Sequence, residues 1–560
     1  MKRRAGPALL CVTLLLFLVL NRTAYKGYFQ DDDLDTLSWA RDMPGWVLLD
    51  GLLTPRLPLI NFRPVGAFYY HVMAVAFGLD FPKYLVPLQA LHILNICLLW
   101  WLARRLGIGP LAAAAGAFFF GLNAVSIDAW WKPMYVYDVS CATLCLATLV
   151  LYTYDHWILS LAAFWLACKS KELAVMLPAV LVCYELWLGK KRWLRLLPFL
   201  GIALLFGLQG LILRPRRGTV YELRLGLEAQ RTTLSFYAWR LLFLPYAGAL
   251  LLALPFAVRD RRLWFGFALT CLPMIPLLLL PGRLFPVYWY VPLTGVAIML
   301  ATIAQSRYRV AAAVFLLLWI PWDFVNFREE RRTNQRRERQ NQAYVSEIAR
   351  FARLHPGQRH FVYDALPEEF HSWGVNGALN LIYRTSGIQA QYIEEPGAEQ
   401  TVQRGEAALL HWYPVLARLA IVEYPEVSET LSYLRMNEQT PPAQLPSGWY
   451  RPDEDFRWTQ PDATAVLLRP QNVHSFELEA CVSPEQIRRH GVIELRVLLD
   501  ARLLGRHEFT APGCQTLRWA VPHGPAGMSN IEFHATPAFH PAGDPRVLGI
   551  AVKGCGFHSE

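Results

Sequence analysis

Charge is scarce in this sequence. Asp, Glu, Lys and Arg make up 18% of the 560 residues against 54% hydrophobic ones, and with 30 Phe, 24 Tyr and 20 Trp so apolar a chain is neither disordered nor typical of a wholly soluble protein. Lysine is scarcer still: 9 residues against 45 Arg among the 54 basic ones, a bias that points to a GC-rich, bacterial genome. The formal net charge of +10 would suit a nucleic-acid partner, but many of the basic residues stand in short clusters between hydrophobic runs, at Lys2-Arg3-Arg4, Arg104-Arg105, Lys190-Lys191-Arg192, Arg259 to Arg262 and Arg307 to Arg309. Clusters so placed read as cytoplasmic anchors of membrane spans, which argues for membrane lipid and against nucleic acid. Cysteine has no metal-ligand spacing. Seven of the ten lie in the hydrophobic half, and the tail holds Cys481, Cys514 and Cys555, enough for one disulfide and one free thiol whose pairing the spacing does not fix. No internal repeat is present.

What the sequence does have is length of the right kind. Apolar runs of about 15 to 20 residues, the length that crosses about 30 Å of hydrocarbon, fill the stretch from Ala8 to Phe324. The first has a basic start and lacks a small-x-small cleavage site before Tyr25, the pattern of an uncleaved signal anchor. With its amino end cytoplasmic, further spans follow near 84–103, 108–125, 135–153, 156–169, 172–189, 196–213, 237–257, 263–281, 287–304 and 310–324. Eleven crossings place three segments outside: a first loop over about 25–83, an Arg-rich loop from Arg214 to about Phe236, and everything after Phe324. Within the first loop, Pro64 to Leu79 reads as a helix lying in the interface.

The expected organisation is a membrane domain over 1–324, an extracytoplasmic helix and small α/β region over 325–470, and a β-sandwich over 471–560. The Arg/Glu run from Arg328 to Arg339 predicts a solvated helix continuing the last span. Phe361-Val362-Tyr363 opens the α/β region, and Phe476 to Ala480, Ile493 to Leu499 and Val547 to Val552 predict sandwich strands.

The strongest chemical feature is FQDDDLDTL, which sets Asp31, Asp32, Asp33 and Asp35 just outside the first span. Four carboxylates in five residues repel one another and must find cations, hydrogen bonds, metal or solvent. An acidic surface turn is the plain reading; a site beside the membrane is the functional one. About thirty residues on comes NFRPVGAFYYHVMAVAFGLDFPKYLVPLQALHILNICLLWWL. An acidic pair after the first membrane helix, Arg-Pro opening an interfacial helix, then Gly-Leu and a helix with His and Asn resembles the GT-C superfamily of membrane glycosyltransferases. The pattern is similar to the membrane core of transmembrane-and-tetratricopeptide O-mannosyltransferases and of bacterial relatives of the protein O-mannosyltransferase and aminoarabinose-transferase type. SKELAVMLPAVLVCYEL is similar to that group's Lys-Glu helix, and GRLFPVYWYVPLTG to its late Arg, Tyr-x-Tyr, Pro segment. The tail departs from the tetratricopeptide group, having no 34-residue helical repeat.

The resemblance implies a polytopic α-helical fold of GT-C type, a polyprenyl-phosphate-linked sugar donor, a glycan, lipid or protein hydroxyl as acceptor, and an acidic residue of the first external loop as base. The pair before Leu34 and Leu37 makes Asp32 and Asp33 the candidates, with Asp31 in reserve. The chemistry agrees. A sugar on phosphate already has a leaving group, so an inverting displacement needs a base for the acceptor proton and cations for the departing phosphate. The cations at the outer face are Arg63, Lys171, Arg214, Arg216, Arg217 and Arg283; Arg chelates phosphate through two donors, and Lys acts as a point charge. Asp128, Trp131, Lys132 and Asp138 cluster at outer span ends and, with Glu172, Tyr288 and Tyr290, are expected to line a pocket for sugar or lipid; an aromatic belt with charge pairs is the alternative. Gln89, His92 and Asn95 recur every three residues, a pattern of interhelical hydrogen bonding. Asp-x-Asp patterns offer oxygen ligands to a divalent ion, but metal is not the favoured reading and no cofactor is expected.

The function expected is transfer of a single sugar on the extracytoplasmic side; the rivals are a lipid-linked sugar or polysaccharide flippase and a non-catalytic carbohydrate-binding assembly protein. Topology reporters fused after Arg105 and after Phe324 should report opposite sides of the membrane; agreement between them would overturn the eleven-span reading.

Overall fold

The computed structural model describes residues 2–55, 62–212, 222–224, 226–403, 405–414, 416–422, 430–541, 544 and 546–558. They form two compact units, Met1–Val345 with Pro367–Ser386, and Ser346–Leu366 with Gly387–Glu560.

The first unit is helical. In chain order it contains α1 (Lys2–Asn21), α2 (Asp31–Arg41), α3 (Gly45–Leu53), α4 (Pro64–Phe77), α5 (Phe81–Arg105), α6 (Pro110–Leu122), α7 (Ile127–Trp131), α8 (Val136–Thr153), α9 (Trp157–Ser170), α10 (Leu177–Trp187), α11 (Leu197–Ile212), α12 (Leu227–Arg240), α13 (Ala247–Leu252), α14 (Leu254–Ala257), α15 (Arg261–Leu278), α16 (Pro292–Gln305), α17 (Arg309–Leu354, through Val345 in this unit) and α18 (Ser372–Ile382). Proline opens α4, α5, α6 and α16, where its missing N–H has no helical partner to lose. Among the described residues, five helical segments are long and apolar enough to cross a membrane, Arg4–Lys26, Phe81–Arg105, Pro133–Thr153, Trp193–Gly210 and Arg309–Leu354. Pro110–Leu122 joins them as a sixth if it is one span with Ala124–Trp131, from which it bends by 48°. The bend falls at Asn123, which has extended backbone and whose side chain caps the next turn by accepting from Val125 N at 3.1 Å.

The expected span at 237–257 is not a continuous helix. Pro245 has no N–H to give and clashes with the preceding turn, and Phe243 and Tyr246 flank it with positive φ (53° and 55°), so α12 stops at Arg240 and the chain resumes as the short α13 and α14. The other ten expected runs each carry a helix, although α9 and α10 are only 14 and 11 residues long. Pro64–Phe77 is a helix of 14 residues, as expected of an interfacial segment.

Composition boundaries and structural boundaries also differ. The chain does not divide at 324/325, because α17 runs on unbroken for 46 residues through the Arg/Glu segment. Nor does Pro367–Ser386 stay with the tail: α18 lies on α2 backbone to backbone. A Cβ at Gly374 would stand 2.5 Å from Asp31 Cβ, and one at Gly377 2.5 Å from the Leu34 carbonyl carbon, so neither position admits a side chain without separating the helices.

The second unit is mostly strand. β1 (Phe361–Tyr363), β2 (Gln391–Tyr392), β3 (Ala408–Tyr413) and β4 (Arg418–Val422) form a small sheet in the order β2-β1-β3-β4, parallel across β1 and antiparallel at β4. This is the expected α/β element. The larger sheet comprises β5 (Tyr433–Arg435), β6 (Ser447–Asp453), β7 (Phe456–Arg469), β8 (Ser475–Val482), β9 (Ile493–Leu499), β10 (Arg502–Phe509), β11 (Gly513–Ala520), β12 (Gly527–Thr536) and β13 (Ala551–His558). Its main path is β10-β9-β12-β7-β13-β8-β11. The β7–β13 pairing holds for only two residue pairs, and there the sheet folds over so that Leu495, Val497 and Phe533 share one core with Phe476, Leu478 and Phe557. The strands begin at Tyr433 rather than at 471, because β7 is a central member of this sheet, and the last strand starts at Ala551 rather than Val547. Cys481 and Cys514 stand directly opposite in β8 and β11 and are disulfide-bonded; Cys555 is a buried thiol.

Replacing Gly377 by Leu should cost about 1–3 kcal/mol through overpacking of α18 on α2, and Gly377→Ala less. The readout is the thermal midpoint of the detergent-solubilised protein, and an unchanged midpoint in Gly377→Leu would contradict the close approach.

Candidate active site

The acidic residues enter α2 in its first turn, where the N-terminal end of the helix dipole favours negative charge. Their environments nevertheless differ. Asp33 is fully buried: its Oδ2 accepts the Gln30 backbone N–H at 2.9 Å and its Oδ1 accepts the Tyr70 hydroxyl at 2.5 Å. Burial, with the charges of Asp32 and Asp31 adding to it, pushes the Asp33 carboxyl up to about 7 against those two hydrogen bonds. Asp31 is also buried and takes His371 Nδ1–H on its Oδ2 at 2.5 Å; burial and then the Asp32 charge raise its carboxyl, with His371 opposing. Asp35 is half-buried and raised by burial. Asp32 is exposed, and its Oδ1 accepts Trp373 Nε1–H at 2.9 Å. The N-terminal end of α18, preceded by His371, thus meets the N-terminal end of α2 at the carboxylates, so two dipole ends favour the charge.

The basic candidates gather on two tyrosines. Arg63, immediately before α4, donates to Glu172 Oε2 from Nε at 3.3 Å and Nη2 at 3.2 Å, and its guanidinium lies 5.5 Å from the Tyr137 ring centroid. Tyr137 reaches α4 because position 66 is glycine, where a Cβ would stand 2.1 Å from its ring. Lys171 is the extended residue between α9 and the 3-10 turn Glu172–Met176; it pairs with Asp138 and holds Nζ 4.6 Å from the Tyr288 ring centroid. Arg283 donates from Nε to the Tyr288 hydroxyl at 3.1 Å. Tyr288 therefore has one cation over its ring and another at its oxygen. Asp128 binds Lys132 at 3.2 Å and accepts Asn334 Nδ2–H at 2.8 Å. Tyr70, which donates to Asp33, has its ring centroid 6.1 Å from that of Tyr137, the ring beside Arg63, which connects the acidic turn to the first of these cations.

Two expected pocket residues do not line anything. Trp131 has no exposed surface and gives its Nε1–H to Glu338 Oε1 at 2.8 Å; Tyr290 has none either, its hydroxyl lying 2.6 Å from His92 Nδ1 and 3.1 Å from Asn95 Nδ2. Their size and polar tips are used inside the helix bundle, Trp131 joining α7 to α17 and Tyr290 joining the segment before α16 to α5, and Asn95 further binds Val139 O of α8 at 3.1 Å. Arg214, Arg216 and Arg217 lie outside the described residues. Among the described residues, no three His, Cys, Asp or Glu side chains are arranged to hold a metal ion.

Sequence reasoning missed Tyr70, Tyr137, His371, Trp373 and Glu338. Tyr70 carried a signal, standing seven residues after Arg63 and so two turns along the same helix face. His371 and Trp373 had none, since 340 residues separate His371 from Asp31.

No protein-family model matches this chain, and neither does any curated protein. Solved structures similar to it include the arabinofuranosyltransferase AftD from Mycobacteria, determined by single-particle cryo-EM, with a TM-score of 0.44 and 13% identity over 98% of this chain and 60% of that one. Another is ArnT from Cupriavidus metallidurans in the apo state, with a TM-score of 0.38 and 15% identity over 71% of this chain and 92% of that one. The chain thus spans 60% of the length of AftD.

The raised carboxyl of Asp33 has a pH signature. A carboxyl whose folded value lies near 7 instead of 3.8 stabilises the fold fully below pH 4 relative to an ionised state, and that contribution is lost as pH rises through about 7. Asp33→Asn can still accept from Gln30 N–H and donate to the Tyr70 oxygen. Its stability relative to the native protein should therefore rise between pH 4 and pH 7 by up to about 4 kcal/mol, and then level off. Parallel denaturation curves at pH 4.5 and 8 would contradict a buried, proton-holding Asp33.

Proposed function

We propose that this protein is a membrane glycosyltransferase that moves a single sugar from a polyprenyl-phosphate donor to a hydroxyl acceptor on the extracytoplasmic side, with inversion at the anomeric carbon. The observation that carries the reading is the division of labour in the acidic turn: Asp31 and Asp33 are buried and raised, while Asp32 is exposed and accepts the Trp373 indole N–H, and Arg63 is linked to the same turn through Tyr137 and Tyr70. The resemblance of the Arg-Pro, Lys-Glu and Tyr-x-Tyr segments to GT-C enzymes supports the same reading.

In the proposed step the acceptor oxygen attacks the anomeric carbon and Asp32 takes its proton. The bond from that carbon to the phosphate oxygen breaks, and the electron pair leaves with the lipid phosphate. Lys171 and Arg283, converging on Tyr288, and Arg63 beside Tyr137 supply the positive charge that this phosphate needs. Asp138 and Glu172 hold two of these cations in place, and an arriving phosphate competes with them for the same donors. Asp33, without exposed surface, acts as a positioning group that fixes the first turn of α2 through Gln30 and Tyr70. Transfer without a metal is part of the proposal, and the Cys481–Cys514 bond fits an extracytoplasmic second unit.

Asp32→Asn is nearly isosteric and keeps an acceptor for Trp373, but has no basicity. It should bind donor lipid normally and lose transfer by on the order of 10² to 10⁴. Asp31→Asn and Asp33→Asn should retain measurable transfer, and chelator should leave the native rate unchanged. Full activity in Asp32→Asn would move the base elsewhere, and full activity in all three variants would remove this mechanism.

A further inference from the structure

The proposed base has a neighbour that the reaction as written does not use. Trp373 donates its Nε1–H to Asp32, which fixes the indole, yet 41% of the residue remains exposed. His371 lies parallel to it, ring centroids 4.2 Å apart and planes within 6°, and is itself fixed by Asp31 with half of its side chain exposed. Free surface tryptophans are mobile. This one is held by a hydrogen bond, a ring stack and a helix, α18, whose Gly374 and Gly377 lock it against α2. The result is a rigid stack of two rings, its indole partly exposed, beside the one exposed carboxylate of the acidic turn.

We infer that this surface is the acceptor subsite and that the acceptor is a glycan, its terminal sugar ring lying on Trp373 with a hydroxyl directed to Asp32; the inference rests on Asp32 being the base. The axial C–H face of a sugar ring carries slight positive charge and matches the negative face of an indole. A flat ring recognises such a face, whereas an extended peptide offers no comparable plane. The donor sugar is the other source of a ring. It is tied to its phosphate, and the cations suited to that phosphate are engaged on Tyr137 and Tyr288 rather than on the indole.

The test uses the full-length protein in nanodiscs and saturation-transfer NMR with three neutral trisaccharides, maltotriose, mannotriose and arabinotriose. An undecaprenyl-phosphate-linked hexose and a Ser/Thr-rich peptide serve as separate arms. Trp373→Phe keeps a ring and loses the donor to Asp32; Trp373→Ala loses both. Saturation of the C–H protons of at least one trisaccharide is expected with the native protein, conserved in Trp373→Phe and reduced about tenfold in Trp373→Ala, with affinity for the lipid-linked hexose equal in all three. Absence of trisaccharide binding, equal binding in all three proteins, loss of lipid-linked hexose binding in Trp373→Ala, or Trp373-dependent binding of the peptide would each overturn the inference. Asp32→Asn keeps the two failures apart. Glycan binding that persists in Asp32→Asn, beside a native protein without transfer, would sink the transferase reading and leave the glycan surface standing.

Discussion

Three consecutive carboxylates in one helical turn are a problem before they are a site. Placed together in water they repel one another, and placed together in a protein interior they cannot all stay ionised. The fold resolves this by giving each a different surrounding. Asp33 turns inward to a backbone N–H and a tyrosine hydroxyl, Asp31 turns to a histidine, and Asp32 is left at the surface with an indole N–H. The approach of α18 to α2 is the constraint on which this depends. Both partners of the outer carboxylates, His371 and Trp373, come from the start of α18, and only glycine at 374 and 377 lets the two backbones come so near. The α18 dipole then adds positive potential where the negative charge is concentrated.

The cations show the complementary arrangement. Arg63, Lys171 and Arg283 belong to three distant parts of the chain and are oriented by tyrosine rings and hydroxyls as much as by acids. Tyr288 meets Lys171 through the quadrupole of its ring and Arg283 through its oxygen, while Asp138 pairs with Lys171 as well. The break between α9 and α10 lies at the same place: Lys171 is extended there and pairs with Asp138, while the next residue, Glu172, pairs with Arg63.

Much of this was legible in the sequence wherever the signal was local. The acidic turn, Arg-Pro before an apolar helix, Lys-Glu between two short runs and Tyr-x-Tyr after Arg283 are all short patterns, and each marks a place where side chains of the candidate site originate. Spans were readable as runs because hydrophobicity is additive along a helix, and 237–257 misled because its composition is apolar while Pro245 prevents a continuous helix. Trp131 and Tyr290 misled for a related reason: a polar tip on an aromatic is equally suited to a pocket wall and to a buried interhelical bond, and composition does not distinguish them. The sandwich was recognisable from alternation, visible in the burial of every second residue of β8 and β9. Its start was placed too late because Pro461-Asp462, a pattern that elsewhere marks a turn, falls in the middle of the long β7.

What no local pattern could show is that the acidic turn is completed by a segment beginning more than 300 residues later. Read alone, FQDDDLDTL is an acidic surface turn, and that reading predicts solvated carboxylates at Asp31, Asp32 and Asp33 alike. The structure has one. Asp33 finds its partners, Gln30 and Tyr70, within the first loop, but the chain supplies the partner of Asp31 from Pro367–Ser386, beyond a 46-residue helix, at the cost of a long-range closure. A turn that merely kept a surface soluble would gain nothing from such an arrangement, since solvation already satisfies its charges. A turn that must present one fixed carboxylate needs buried neighbours and a held third member, and His371, Tyr70 and Trp373 hold Asp31, Asp33 and Asp32 in that way.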